Sequence, residues 1–304
     1  MNETELNNSV DSFIKYLNPE EVAKAEKQIA ETSVSDMILG WLRNWKCTTS
    51  TILNLQLVAG QQRSTFAFNQ ALKRLKAAGA YTSIRVGSEA YYFHDSYKKH
   101  FEELEKMNPV LRNSYLESSG IAHHIDVQHA FVWLRLLRAS CRGRIYLPGP
   151  LGLKQQFRGG MDAEPDLAIA GQFGVVPVEV ERNQKSQKRW HEKWPEYECR
   201  ESTPGCLYFL TSPEIVDPFL HSVQEFFAGA AKRNSKFWIA STNLFSKQIG
   251  IFSIQKHVTT IDANAFMERL AFPEELLEGI SAVPEAEQLE YLYKKSAELK
   301  SQKN

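Results

Sequence analysis

The segments PDLAIA (165–170) and GVVPVEVER (174–182) decide the fold of the larger part of this chain. Both are short, apolar and rich in strand-forming residues, and a turn separates them, so they predict a β-hairpin. Because side chains alternate across a strand, Glu179 and Glu181 are expected on one face. Pairing of the two strands is expected to bring Asp166 beside them.

Around this hairpin, apolar periodicity predicts alternating helices and strands. They are helix 125–140, strand RIYLP (144–148), a glycine-rich loop (148–160), helix 184–201, strand 206–212, helix 213–233 and strand 236–241. This order of elements predicts an α/β sandwich around a mixed sheet. The remaining residues end in a charged helix, 285–303, expected to be solvated or to contact a partner.

Upstream, three helices precede a second hairpin. The helices are VSDMILGWLRNW (34–45), TTSTILNLQL (48–57) and STFAFNQALKRLKAAG (64–79), and the hairpin strands are AYTSIRV (80–86) and AYYFHD (90–95). Ser64 is expected to cap the third helix, Gly79 to end it, and Gly87 to supply the hairpin turn. Three short helices followed by a hairpin predict a winged helix-turn-helix domain.

The charge distribution supports a nucleic-acid partner for this region. The whole chain balances 36 basic against 36 acidic residues, whereas residues 36–100 carry nine Lys or Arg and three acids. A local basic excess of this kind is typical of DNA-binding domains. The candidate DNA-binding residues are Arg63, Gln70, Lys73, Arg74 and Arg85. A winged helix used for protein contacts is the alternative.

The predicted organisation has five parts: a helical segment (1–35), the winged helix (36–100), a linker with some helix that is interrupted by Pro109 (101–123), the α/β domain (124–260) and a helical tail (261–304). No apolar run is long enough for a membrane span and no secretion signal begins the chain, so a cytoplasmic location is expected. The four cysteines, Cys47, Cys141, Cys199 and Cys206, lack metal-ligand spacing and are interpreted as buried apolar residues.

Three carboxylates gathered on one face repel one another, and a bound cation or a proton must compensate them. Oxygen ligands of this kind suit Mg²⁺ or Mn²⁺, which can polarise a phosphate. Asp166, Glu179 and Glu181 are therefore predicted to bind a metal and to support phosphodiester cleavage. In the alternative interpretation the two glutamates form the polar face of an edge strand and pair with Arg182 or Lys185.

PDLAIA, VPVEVER and the following EKWPEY resemble the PD-(D/E)xK restriction-endonuclease fold. They resemble more closely the replication-relaxation and MobC-type relaxases of mobilisable plasmids, over about residues 36 to 245. The residues that match are His124, Pro165, Asp166, Glu179, Glu181, Lys193 and Tyr197. The resemblance implies a metal-dependent relaxase that nicks one DNA strand at an origin of transfer for conjugative mobilisation. It also implies accessory nicking and coupling proteins as partners.

One departure from the nuclease motif affects the catalytic cation, because Glu181 stands where that motif has lysine. Lys193, which shares a helix face with Tyr197, is the favoured replacement over Lys185 and Lys188. Tyr197 is either a nucleophile or a bystander to hydrolysis by metal-bound water. His124 is a candidate contact to the phosphate or the metal, although a histidine at a helix start is more often structural.

Two alternatives to the relaxase remain open. One is a DNA-binding replication or transcription regulator with an inactive nuclease-like domain, and the other is a restriction-type endonuclease. Trp133, Trp190, Trp194 and Tyr197 are interpreted as core residues. The last three are alternatively a stacking platform for single-stranded DNA.

Overall fold

The computed structural model describes residues 12, 33–58, 65–147, 164–183, 187–200, 203–229, 234–255, 259–284 and 287–302. The chain divides between Leu136 and Leu137 into two compact parts, called here the first unit and the second unit. Several predictions lie outside the described residues: the N-terminal helices (Ser12 apart), the role of Arg63, the cap at Ser64 and the glycine-rich loop.

The first unit consists of helices and a small sheet. In chain order these are α1 (Val34–Trp45), β1 (Cys47–Thr49), α2 (Ser50–Val58), α3 (Thr65–Ala77), β2 (Thr82–Val86), β3 (Glu89–Phe93), α4 (Lys98–Lys106), α5 (Pro109–Ser118) and α6 (Ile121–Ser140), whose last four residues belong to the second unit. The strands form an antiparallel sheet in the order β1-β3-β2. The predicted three helices and hairpin are confirmed.

Local sequence signals explain where these elements begin and end. The Ser33 hydroxyl accepts a hydrogen bond from the Asp36 backbone N–H and so caps α1. Gly79 has φ 69° and Gly87 has φ 61°, values that glycine adopts without steric cost. Gly79 therefore follows the end of α3, and Gly87 forms the turn between β2 and β3, as predicted.

The second helix begins later than predicted. Thr48 and Thr49 belong to β1, where they pair with Tyr92 and Tyr91 of β3, and α2 starts at Ser50. Thr49 still acts as a cap, because its hydroxyl accepts a hydrogen bond of 3.3 Å from the Ile52 backbone N–H. Pairing with β3 therefore places Thr48 and Thr49 in a strand, although the local sequence pattern alone assigns both residues to the second helix.

The region predicted as a linker is folded. Residues 101–123 lie largely in α4 and α5, whose Leu104 and Leu116 are buried, and α6 begins at Ile121 rather than at residue 125. The division between Leu136 and Leu137 accordingly lies further along the chain than the predicted boundary at residue 123. Each of the helices α4 and α5 has one buried residue, a leucine, and is otherwise largely exposed.

Buried polar groups connect α1, β1 and α6 within the first unit. The Trp41 indole N–H donates to the Thr48 hydroxyl at 3.0 Å and to the Gln128 side-chain oxygen at 2.8 Å. The Gln128 amide in turn donates to the Cys47 carbonyl at 2.8 Å. Since each of these polar groups has a hydrogen-bond partner, their burial carries little penalty.

The second unit is built on one mixed sheet. Its elements are β4 (Leu167–Gly171), β5 (Gly174–Glu181), α7 (Gln187–Glu198), β6 (Gly205–Leu210), α8 (Val216–Ala228), β7 (Trp238–Thr242), β8 (Gln248–Ser253), β9 (Thr259–Asp262), α9 (Ala263–Leu270) and α10 (Gln288–Gln302). The six strands follow chain order across the sheet, and β5, β6 and β7 are parallel while the other pairs are antiparallel. The predicted mixed-sheet α/β fold class is confirmed at this level.

The structure differs from the sequence analysis of this unit in three places. RIYLP is not a strand of the sheet: Arg144 and Tyr146 form isolated bridges to Phe272 and Ala170. Strands β8 and β9 and helix α9 were not predicted, because their short, weakly alternating segments resemble loops. The predicted tail begins inside β9, and Phe272, Leu276, Ile280 and Leu292 form a buried cluster there.

Aromatic side chains fill the space between the sheet and helices α7 and α8. Trp190, Trp194, Phe219 and Phe226 pack with Tyr208 of β6, and all five are buried.

Cys47, Cys141 and Cys206 are buried as predicted, whereas Cys199 is exposed at the end of α7. Among the described helices, none combines the length and apolar character that crossing a membrane requires.

Candidate functional site

The hairpin of β4 and β5 positions two of the predicted carboxylates. Its register ends with Leu167 opposite Val178, so the next residues along the two strands are Asp166 and Glu179. The Asp166 carboxylate accepts a hydrogen bond of 2.8 Å from the Val180 backbone N–H. Asp166 therefore lies beside the part of β5 that begins with Glu179, as predicted.

Glu179 points to the side of the sheet that α7 covers. Its Oε1 atom lies 2.6 Å from the Lys193 ammonium and accepts a short hydrogen bond from the Tyr197 hydroxyl. The Glu179 side chain is 3% exposed, and that of Lys193 is 19% exposed. Asp166, Glu179, Lys193 and Tyr197 are called here the Glu179 cluster.

Helix α7 brings its two polar contacts together because Lys193 and Tyr197 are one turn apart. Trp190 and Trp194, on adjacent turns of the same helix, are buried and stack with ring centroids 6.4 Å apart. Burial of these indoles holds α7 against the sheet and orients Lys193 toward Glu179. Trp194 also donates its indole N–H to the Tyr208 hydroxyl at 3.0 Å.

Burial dominates the electrostatics of the cluster. It raises the pKa of Glu179 from 4.5 to about 7, the Lys193 ammonium opposes this rise, and the Asp166 carboxylate adds to it. Burial and the nearby Glu179 carboxylate raise the pKa of Tyr197 well above its ordinary value. Glu179 is therefore poised to exchange a proton near neutral pH, whereas Tyr197 stays protonated.

Glu181 has different surroundings from Glu179. It is buried one pleat further along β5, and its Oε1 atom accepts a hydrogen bond of 3.3 Å from the Trp190 indole. Within the part of the chain that the structure describes, no group of three or more His, Cys, Asp or Glu side chains could hold a metal ion. The predicted three-carboxylate metal group is therefore not formed.

The remaining carboxylate pair still has the chemistry of a magnesium site. Asp166 is partly exposed and interacts electrostatically with Glu179. Mg²⁺ in phosphate-processing sites is bound through one or two carboxylates together with substrate oxygens. Asp166 and Glu179 are ligands of the type that Mg²⁺ prefers, and Lys193 already supplies a positive charge to Glu179.

Tyr197 is not presented as a nucleophile. Its side chain is 0% exposed, and its hydroxyl donates to Glu179. A phenol attacks phosphorus as the phenolate, and burial beside a carboxylate disfavours that form. The geometry instead makes Tyr197 a residue that orients the Glu179 carboxylate.

His124 lies near the start of α6 in the first unit, and its predicted contact with the phosphate or the metal stays a prediction. Its Nε2 atom is 2.5 Å from the Trp45 carbonyl oxygen, and its ring meets the edge of the Trp45 ring. These contacts match the structural interpretation of a histidine near a helix start.

The predicted DNA-binding residues that the structure describes are accessible. Lys73 and Arg74 are exposed on α3 and Gln70 is half-buried there, while Leu72 and Leu75 of the same helix are buried as predicted. Arg85 is exposed on β2, and its guanidinium lies 3.4 Å from the Ser88 carbonyl near the hairpin turn.

The aromatic residues behave as the core interpretation predicts. Trp133, Trp190, Trp194 and Tyr197 are each at most 1% exposed, so none offers a ring face to a nucleobase. The single-stranded DNA platform on α7 is therefore not present.

The sequence analysis did not single out Tyr208, which lies beside Glu179 in the register of β5 and β6. Tyr208 alternates with Cys206 and Leu210 on β6, and this period of two was the sequence signal that could have predicted the face on which Tyr208 lies.

Comparisons with protein-family models, with curated proteins and with solved structures gave no match to this chain.

Proposed function

We propose that this chain is a metal-dependent DNA relaxase, in which the first unit binds DNA and the second unit nicks one strand at a plasmid origin of transfer. The contact of 2.6 Å between Lys193 and Glu179, with Asp166 on the neighbouring strand, carries the proposal. An aspartate, a glutamate and a lysine are the residue types that the PD-(D/E)xK motif uses, and here a helix would supply the lysine. The origin-specific part of the proposal rests on the resemblance alone.

Asp166 and Lys193 are the members of the cluster that a DNA phosphate can reach, because both are partly exposed. The Lys193 ammonium would stabilise the negative charge that develops on the phosphate oxygens. The attacking water would pass its proton to a base in the solvent, because the Glu179 carboxylate already accepts from Lys193 and Tyr197. Water then adds to phosphorus, the bond to one deoxyribose oxygen breaks, and that oxygen takes up a proton.

Asp166 and Glu179 would hold Mg²⁺ or Mn²⁺. A bound ion of this type supplies polarisation of the phosphate and a lower pKa for the attacking water. Glu179 also accepts from Lys193 and Tyr197, so its carboxylate would be shared between the ion and these donors.

The first unit supports the DNA-binding half of the proposal. Helices α1 to α3 precede the β2–β3 hairpin, and β1 pairs with that hairpin, an arrangement that suits a winged helix-turn-helix. Helix α3 exposes Lys73 and Arg74 and carries no acidic residue. The resemblance adds single-stranded DNA, an accessory nicking protein and a coupling protein as proposed partners.

A nicking assay on supercoiled plasmids carrying candidate origins tests this function, with Mg²⁺ or Mn²⁺ present or chelated. Wild type is expected to give open circles, and Asp166→Asn and Glu179→Gln are expected to lose at least a hundred-fold in rate. Glu192→Gln is the matched control, because Glu192 is a carboxylate of α7 whose side chain is 63% exposed. Undiminished nicking by both carboxylate variants would refute the proposal, and linear product would indicate a restriction-type endonuclease.

A DNA-binding regulator with an inactive second unit is the second candidate. It is favoured by the missing three-carboxylate group among the described residues and by the Lys193 charge that already compensates Glu179. Calorimetric titration with Mn²⁺ separates the candidates. Heat of binding that disappears in Asp166→Asn supports the nuclease, and no binding to wild type supports the regulator.

A further inference from the structure

Helix α3 has one exposed face with an unusual composition. Phe66 is 71% exposed in the first turn of the helix, Asn69, Lys73 and Arg74 are exposed, and Gln70 is half-buried. The opposite face is buried and consists of Phe68, Ala71, Leu72 and Leu75. The first unit therefore packs α3 through one side and leaves a phenylalanine, two amides and three cations, Lys73, Arg74 and Lys76, on the other.

The charge of this face fits a polyanion. Thr65–Ala77 contains Lys73, Arg74 and Lys76 and no Asp or Glu. A single exposed apolar residue needs no explanation by itself. Phe66 differs because it lies on the same helix face as the amides and cations of the proposed DNA-binding surface.

The residue types on this face match one kind of base pair. In the major groove, glutamine and asparagine pair with N6 and N7 of adenine, and apolar side chains contact the methyl group of thymine. Phe66 and Gln70 are one turn apart on the same side of the helix. Four residues of helix rise about 6 Å, and base pairs are about 3.4 Å apart, so the two side chains match base pairs about two steps apart.

We infer that the exposed face of α3 recognises A·T base pairs in the major groove of double-stranded DNA. Phe66 contacts the thymine methyl group, Gln70 pairs with the adenine edge, and Lys73 and Arg74 hold the flanking phosphates. This inference rests on the DNA-binding half of the proposed function and is independent of strand cleavage.

Base analogues in short duplexes test the two contacts separately. Fluorescence anisotropy of the full chain at one fixed salt concentration would compare (dA·dT), (dA·dU), 7-deazaadenine and (dG·dC) duplexes. We expect wild type to bind dA·dT at least ten-fold more tightly than dG·dC. Replacing thymine by uracil removes only the methyl group and should weaken binding about four-fold, since one buried methyl-sized group has about that effect.

The variants link each preference to one side chain. Phe66→Ala should bind dA·dT and dA·dU equally, and Phe66→Leu should retain part of the difference. Gln70→Ala should lose the preference for adenine over 7-deazaadenine, which lacks the N7 acceptor. Val110→Ala is the control, because Val110 is an 82% exposed apolar residue of the first unit on α5. It should keep every preference of wild type.

The outcomes distinguish failure of this inference from failure of the proposed function. Equal binding of dA·dT and dA·dU by wild type, or a thymine preference that persists in Phe66→Ala, overturns the role of Phe66. Adenine discrimination that persists in Gln70→Ala overturns the role of Gln70. Absence of binding to every duplex overturns the DNA-binding function itself. Thermal unfolding of each variant confirms that the exposed substitutions leave the fold intact.

Discussion

The Glu179 cluster and the exposed face of α3 both carry charge, but they hold it in opposite ways. In the cluster, the buried Glu179 carboxylate is compensated by Lys193 and Tyr197 from a different element. On α3, Lys73 and Arg74 are exposed to solvent, and the helix contains no Asp or Glu. Loss of a charge should therefore cost stability in the first region and affinity for a polyanion in the second.

The largest expected effect is that of Lys193→Met, which keeps the aliphatic stem and removes the ammonium. At pH 8.5 it leaves Glu179 buried beside Asp166 without its cation, and we expect a loss of about 3 kcal/mol in the free energy of unfolding. At pH 5, where Glu179 takes up a proton, the loss should be much smaller. Denaturant unfolding at the two pH values measures both quantities.

Two control variants define this result. Lys188→Met removes an exposed lysine of the same helix and should change stability by less than about 0.5 kcal/mol. The double variant Glu179→Gln/Lys193→Met removes both charges and should recover most of the loss. A Lys193→Met variant as stable as wild type at pH 8.5 would contradict the view that the two charges depend on each other.

The next effect is the pH dependence of stability that Glu179 produces. Its pKa is about 7 in the folded state and 4.5 ordinarily, so the folded state keeps a proton that the unfolded state releases. This contribution is fully present below pH 4.5 and is lost as the pH rises through 7. At roughly 1.4 kcal/mol per pKa unit, it amounts to about 3 kcal/mol.

Comparison of wild type with Glu179→Gln isolates this contribution, because glutamine does not titrate. The difference in unfolding free energy between the two proteins should change by about 3 kcal/mol between pH 4.5 and pH 8, with wild type losing more. A constant difference over that range would show that Glu179 has an ordinary pKa in the folded protein.

The smallest expected effect concerns the exposed face. The double variant Lys73→Ala/Arg74→Ala should keep its stability within about 0.5 kcal/mol per substitution while binding duplex DNA about ten-fold more weakly. The slope of log K against log salt concentration should fall by about 0.9 for each phosphate that the variant no longer neutralises. Anisotropy titrations across a salt series, alongside thermal unfolding, check both parts. An unchanged slope would show that these two cations do not bind DNA phosphates.

Strong local signals allowed much of the fold to be predicted. Gly79 marks the end of a helix, Gly87 marks a turn, and the short apolar segments PDLAIA and VPVEVE mark two strands. Strand β1 was missed because Thr48 and Thr49 enter a sheet only through pairing with β3. The same reason explains β8 and β9, whose weak periodicity becomes sheet through their neighbours.

The candidate site, like the fold, could be predicted from the sequence only in part. The strand period predicts that Glu179 and Glu181 share a face, and the helix period predicts that Lys193 and Tyr197 share one. The sequence does not predict that Lys193 and Tyr197 meet Glu179 while Trp190 meets Glu181. Because the two glutamates have different partners, the described residues hold a pair of carboxylates with a cation and not the expected group of three carboxylates.

The sequence by itself determined the periodicities, the caps and turns, the basic character of residues 36–100 and the positions of the acidic residues on their strands. These properties depend on neighbours within a few residues along the chain. Only the tertiary structure decided which glutamate receives the lysine, that Tyr197 is buried and that the region around Pro109 is folded. Those outcomes depend on packing between distant segments, where burial and the choice of partner set the energy of each charge.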